Sequence, residues 1–321
     1  MLTAPDFKQK QIVFAMLSRG ERLSFKNDNV IVKDSEGRIK HQSTCYRLFA
    51  LFVAGHASIT TGLLQRAEKF GFSIVLMTHG LRVYGLWANE SKGNVILRRK
   101  QYNHENLNIA AHIVKNKITN QIAALKKIRP REVKRLEAAE KLMDYLASIE
   151  DCKKIDLQSL LGTEGIASRI YFQTLFDEMN WKARRPRVKH DTTNCLLDIG
   201  YTYLFNIVEA LLSIYGFDLY CGVYHREFYQ RKSLVCDLVE PMRPLIDLRI
   251  RKAHRLGQIR ISDFYVKQGR HNLFGKNAGP YTSLILKELI NHKQEMFIYI
   301  QSYYRAFMRN KPANEFPVFT I

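Results

Sequence analysis

Among the 30 acids and 10 histidines of this chain, four on otherwise apolar or basic segments stand out as possible ligands of a hard divalent cation: Glu164, His225, Asp237 and Glu240. Asp237 and Glu240 stand at i and i+3 of one expected helix, so they share a face. Two carboxylates so placed repel each other unless a cation lies between them. Glutamate, imidazole and glutamate, with the aspartate in support, suit Mg²⁺ or Mn²⁺; carboxylates take both ions, and the imidazole tilts the preference toward manganese. An ion held there would polarise a phosphodiester oxygen and activate an attacking hydroxyl. Each residue also has a plainer reading. Glu164 alone would favour the positive N-terminus of the helix it opens. His225 alone would be a satisfied structural histidine, and the acid pair alone a solvated turn. Spacing by itself does not join Glu164 to His225 across the long stretch between them.

The surroundings are basic. Fifty Lys and Arg against 30 Asp and Glu leave a net charge of +20, and such a surface attracts polyanions, nucleic acid first among them. Two basic segments, 182–189 and 249–255, flank the acids in sequence. Arg184, Arg185, Arg187 and Lys189 from the first, and Arg249, Arg251, Lys252 and Arg255 from the second, are expected on a DNA backbone. Their plainer reading is a pair of solvated helix ends.

Other motifs fail on inspection. Gly269 and Gly275-Lys276 have five intervening residues where a phosphate-binding loop needs four, and Asn277 replaces Ser/Thr. Gly162-Thr163-Glu164-Gly165 has the form of a backbone-clamping GxxG, but an acid at its tip would repel phosphate. Cys221 and His225 lack the further Cys or His at short spacing that a structural zinc site needs.

The elements that must position these residues fall into two groups. The first 95 residues predict a small, mainly antiparallel β domain with one short helix at 63–70, stopped by Gly71. Turns are expected at Asn27-Asp28-Asn29, Ser35-Glu36-Gly37 and Thr78-His79-Gly80. A polar linker spans about 88–108, after which the apolar period becomes helical. Helices are expected over 109–128, 131–149, 156–161, 163–179 with Thr163 as N-cap, 194–214, 233–256 kinked at Pro241 and Pro244, and 281–308. The result is a two-domain α+β fold, with a larger all-α catalytic domain over 109–310 and a short irregular tail over 311–321. At 321 residues and 46% hydrophobic content, the chain is long enough for two domains, each with its own core.

No apolar run approaches the roughly 18 residues that span a bilayer, the nearest being 46–54, and the first residues lack a signal-peptide pattern. Five scattered cysteines, Cys45, Cys152, Cys195, Cys221 and Cys236, fit reduced thiols in a cytoplasm better than a disulfide framework.

Four ordered phrases carry a family resemblance. Leu160-Leu161-Gly162-Thr163-Glu164-Gly165-Ile166-Ala167-Ser168-Arg169-Ile170-Tyr171-Phe172 resembles the glutamate helix of the CRISPR-associated spacer-acquisition integrases, the first-numbered Cas family. Asn194 to Tyr201 resembles that family's long central helix. Gly216-Phe217-Asp218 followed by Gly222-Val223-Tyr224-His225 is similar to its histidine motif, and Ser233 to Pro244 to its acidic helix. The resemblance implies that Glu164, His225 and Glu240 are metal ligands, with Asp237 supporting the site or contacting the nucleophile. It implies a homodimer formed through the β domains, two such dimers bracketing a dimer of the small ferredoxin-like second-numbered Cas protein. The implied substrate is a short double-stranded DNA whose 3′-hydroxyls attack phosphodiesters at the edges of a CRISPR repeat, with hydrolysis of branched or single-stranded DNA as a side activity. Leu219 departs from the proline that many members carry after Gly-x-Asp, and Glu240 stands where some members have Asp. A DNA-binding scaffold without catalysis, and an unrelated repair nuclease, are the competing functions.

Overall fold

The computed structural model describes residues 3–79, 81–88, 93–129, 133–150, 156–179 and 181–321. Gly80, residues 89–92 of the polar stretch, Pro130, the start of the helix expected from 131, and Cys152 lie outside them. Helix α1 (Ala4–Lys8) opens on a capping box between Thr3 and Asp6. Strand β1 (Gln11–Leu17) precedes an antiparallel meander of β2 (Arg22–Lys26), β3 (Asn29–Lys33) and β4 (Ile39–Thr44). Asn27 and Asp28 join β2 to β3 with φ of 48° and 55°. That is the type I′ geometry whose twist matches a two-residue hairpin, at the turn the sequence predicts.

Strand β5 (Leu48–Gly55), helix α2 (Thr61–Phe70), strand β6 (Ser73–Met77) and strand β7 (Val83–Trp87) complete the region. Their sheet has the order β1-β5-β6-β7, with β5 parallel to both β1 and β6, and β7 antiparallel to β6. Antiparallel pairs predominate in the region as expected, but these two parallel pairs were not legible in the sequence. They explain why β5 is buried at every residue: a strand covered on both faces carries a continuous apolar run. The run at 46–54 is this central strand.

The helical part follows. Helix α3 (Val95–Tyr102) occupies what reads as linker. Helices α4 (Asn108–Lys127) and α5 (Val133–Glu150) match the expected pair. The two helices expected over 156–179 are one, α6 (Leu157–Leu175), so Thr163 is not an N-cap. Asp156 caps the helix instead, its side chain accepting the amides of Gln158 and Ser159. The inward stripe Leu160, Ala167, Tyr171 and Leu175 runs unbroken past Gly162 and Gly165.

Helix α7 (Thr192–Tyr215) is the core helix and ends at Gly216, whose φ is +79°. It is long and apolar enough to cross a membrane, contrary to the sequence reading, yet 78% of its most apolar window is buried inside the protein. Helix α8 (Ser233–Val239) passes through a 3-10 turn, Glu240–Met242, into α9 (Arg243–Arg255), so the one helix expected to run kinked through the prolines is instead divided there. An unforeseen hairpin of β8 (Phe264–Lys267) and β9 (Arg270–Leu273) interrupts the otherwise helical part. Helices α10 (Ala278–Asn291) and α11 (Lys293–Met308) then replace one long expected helix.

One face of the β1-β5-β6-β7 sheet packs on β3 and α2 through Leu51, Val53, Val30, Val32, Leu63 and Ala67. Its other face packs on the helices: Phe52 lies 5.9 Å from Tyr203 of α7, ring to ring, in a hydrophobic core continuous with the helical one. The tail is irregular but pinned. Phe316 and Phe319 are buried, and Asn116 and Asn120 of α4 both donate to the Phe319 carbonyl at 2.8 Å.

Candidate metal centre

Glu164 lies mid-helix on α6, one turn after Leu160 and one before Ser168, on the stripe that faces α4. A role at a helix N-terminus is thereby removed. Its Oε1 accepts the Ser168 hydroxyl at 2.9 Å and pairs directly with the ammonium of Lys117 on α4. Lys117 also reaches Oε2 of Glu240, at 2.6 Å. One buried cation therefore bridges two glutamates that are far apart in the chain. Oε1 of Glu240 meets Arg243 at 2.9 Å. Burial would raise the Glu240 carboxyl, but Arg243 and Lys117 outweigh it and hold it down at about 2. Burial would likewise lower Lys117; Glu240 and Glu164 outweigh it and raise the ammonium above its ordinary range. Arg243 is held over the Tyr201 ring at 4.9 Å, and the Tyr201 hydroxyl donates to buried Asp247.

Among the described residues no lysine or arginine bridges Asp237 and Glu240, although the two acids sit three residues apart. The helix stops at Val239, and the two acids turn to different partners. Asp237 is fully buried and faces the loop that carries His225. Its Oδ2 accepts the amides of Val223 at 2.7 Å and Tyr224 at 3.1 Å; its Oδ1 accepts the His225 amide at 2.9 Å and lies 2.7 Å from His225 Nδ1. The close approach needs Gly222, where a Cβ would stand 2.7 Å from Asp237 Oδ2 and 2.9 Å from the Ser233 carbonyl carbon.

Helix α3 holds the same loop from the other side. Gln101 donates to the carbonyls of Asp218 and Cys221 and accepts the Asp218 amide; Arg98 donates to the Gly216 carbonyl. Leu219, where a proline is common in the resembled family, is nearly buried, and its carbonyl accepts the Leu234 amide at 3.0 Å. The loop path is therefore settled by hydrogen bonds on both flanks. Sequence reasoning missed α3 because its positioning contacts lie more than a hundred residues away.

The donor set fits a divalent cation. Two carboxylates and an imidazole are the ligands expected of Mg²⁺ or Mn²⁺ sites. The bond from Nδ1 to Asp237 orients His225 and leaves Nε2 as the ring nitrogen that could take a metal ion, the arrangement usual for a metal-binding histidine with a carboxylate behind it. The buried Tyr224 hydroxyl lacks a partner among the described residues. Burial raises the Tyr224 hydroxyl, reinforced by the negative charges of Glu164, Glu240 and Asp237. Among the described residues no three acids, histidines or cysteines close on a common point; Lys117 stands between the two glutamates instead.

The expected DNA-binding residues divide. Arg185, Arg187, Lys252 and Arg255 are exposed. Arg184 is held by Asn194 and by Asp198 at 2.6 Å, Arg249 donates to the Leu284 carbonyl, and Lys189 is half-buried. Arg251 is 3% exposed and pairs with Glu178 at 3.0 Å, so its guanidinium serves the interior. The hairpin β8–β9 adds exposed Lys267 and Arg270 and an exposed Tyr265, and its His271 amide donates to the Lys189 carbonyl. It extends the basic strip that the sequence placed on 182–189.

The model of the family described as CRISPR associated protein Cas1 matches residues 14–279. A CRISPR-associated endonuclease Cas1 of Thermodesulfovibrio yellowstonii is 27% identical over 238 residues, covering 71% of this chain and 75% of that one. Among solved structures, a chain described as a Cas6-RT-Cas1–Cas2 complex superposes with a TM-score of 0.78 at 23% identity over 97% of this chain; the match spans 36% of that longer polypeptide. A casposase bound to integration product superposes with a TM-score of 0.76 at 17% identity, over 94% of this chain and 91% of the other.

Proposed function

Because the chain belongs to the CRISPR-associated Cas1 family, we propose that it is a metal-dependent DNA endonuclease and integrase whose metal is held by Glu164, His225 and Glu240. The observation that carries this reading is the convergence of Glu164 and Glu240 on one buried cation, Lys117, with the His225 loop beside them. A bound Mg²⁺ or Mn²⁺ would polarise the phosphodiester and favour the attacking hydroxyl.

The protein supplies the rest. Asp237 fixes the tautomer and direction of His225. Arg243 keeps Glu240 ionised. Arg185, Arg187, Lys252 and Arg255, with the hairpin residues Lys267 and Arg270, hold the DNA backbone on either side of the acids. The 3′-hydroxyl of a short duplex attacks a phosphodiester at the edge of a CRISPR repeat; a new ester forms as the old one breaks, and the leaving 3′-oxygen takes up a proton in place of the one that the attacking hydroxyl gives up. Water in place of that hydroxyl gives strand cleavage. The relatives named for a complex with Cas2 and for an integration product support these partners. The working assembly is a homodimer formed through residues 1–95, paired across a dimer of the small ferredoxin-like Cas2. Acting on prokaryotic DNA, it works in the cytoplasm.

A substrate panel tests the reading: a repeat-containing plasmid with a short duplex, against flaps and four-way junctions, in Mn²⁺. Half-site integration into the plasmid is expected. Junction cutting without integration would assign the site to repair instead.

The electrostatic part has its own measurement. Counterion release makes log K fall linearly with log salt, with a slope near −0.9 for each phosphate neutralised. Reversing the charges of Arg185, Arg187, Lys252 and Arg255 together should flatten that slope by about four. A slope unchanged in the quadruple variant would take DNA off this face.

A further inference from the structure

We propose that Lys117 is a tethered counter-ion: in the metal-free protein its ammonium occupies the space between Glu164 and Glu240 that the divalent cation takes, and metal binding displaces it. The inference rests on the ligand set proposed above. A buried glutamate and a half-buried one, both within reach of a single ammonium, would repel each other without a cation. Lys117 provides one, itself only 8% exposed, paired with Glu164 and lying 2.6 Å from Glu240. Together with Arg243, it balances the two acids without any bound ion.

The helix beneath Lys117 cannot retreat. The flanking Asn116 and Asn120 bind the Phe319 backbone, and Asn120 also binds the Pro241 carbonyl at 2.7 Å, beside Glu240. Only the side chain can move. A compact ammonium on a flexible four-carbon stem suits that exchange; a planar guanidinium with two fixed contacts would not. Exchange has a consequence for the substrate. The two glutamates are balanced by Lys117 and Arg243; a divalent ion added to them makes the site more positive by two charges and frees an ammonium to meet a phosphate. Lys117 is therefore a positioning residue for the empty site and a competitor of the metal.

The test is Mn²⁺ binding without DNA, followed by calorimetry and by the electron paramagnetic resonance of free Mn²⁺. Wild type, Lys117→Met, Lys117→Gln and Glu164→Gln are compared, together with their metal-free melting temperatures. Lys117→Met and Lys117→Gln should melt lower without metal yet bind Mn²⁺ about tenfold more tightly than wild type, because a competing charge is gone. A merely structural lysine would give weaker binding together with the lower melting temperature. Equal or weaker Mn²⁺ binding in both variants overturns the inference. Should both variants fail to fold, wild-type crystals soaked in Mn²⁺ decide: the ammonium must have left the space between the glutamates, and an ammonium still bridging them overturns it. If wild type binds no Mn²⁺, or Glu164→Gln binds it as well as wild type does, the ligand set itself falls and the inference with it.

Discussion

Glu164→Gln is expected to abolish strand joining while leaving DNA affinity intact. The substitution is isosteric. It keeps an oxygen for the Ser168 hydroxyl, which donates at 2.9 Å, and it removes only the negative charge. Losing one of three anionic or imidazole ligands removes several kcal/mol of transition-state stabilisation, so integration should fall by about a thousandfold or more. On the proposed reading DNA is held elsewhere, by arginines and lysines that are exposed, so its dissociation constant at fixed salt should stay within about twofold of wild type. Gel assays of half-site integration, alongside fluorescence anisotropy on the same duplex, separate the two quantities. Equal integration by variant and wild type would remove Glu164 from the chemistry and favour a DNA-binding scaffold.

Asp237→Asn should damage both the fold and the site. Four donors converge on this carboxylate: the amides of Val223, Tyr224 and His225, and the ring of His225 through Nδ1. An amide side chain offers one oxygen, and its NH₂ group confronts the remaining donors. Each buried donor left without an acceptor costs about 1–3 kcal/mol. The free energy of unfolding in urea should therefore fall by about 3 kcal/mol or more. The histidine, no longer held in one orientation, should bind Mn²⁺ about 10- to 100-fold more weakly. Glu164→Gln should leave stability much closer to wild type, since Glu164 is half-buried mid-helix and Lys117 keeps its contact with Glu240. The contrast separates a ligand from the residue that holds one. Unchanged stability and metal affinity in Asp237→Asn would show that the loop is positioned by helix α3 alone.

Much of this protein is legible one segment at a time. Asn27-Asp28 demands a type I′ turn because both residues tolerate positive φ. Gly71 and Gly216 end helices because only a residue without Cβ takes the left-handed cap at no cost. The phrases around Glu164, His225 and Asp237–Glu240 name the site, and the excess of basic residues names a polyanion. These signals are local: each depends on neighbours within a turn or two of chain, and the site phrases are joined to one another only by the family resemblance they carry. What stays hidden is the pairing of distant segments. Nothing near Lys117 announces that it meets Glu164 and Glu240. Gln101 reads as linker until it binds the loop at Asp218, and Arg251 reads as a DNA contact until it is buried against Glu178. The parallel register of β1, β5 and β6 and the inward face of α6 were decided the same way. A buried charge must be neutralised and a buried amide must find an acceptor, but which partner does so is set by packing across the whole chain, not by the residues beside it.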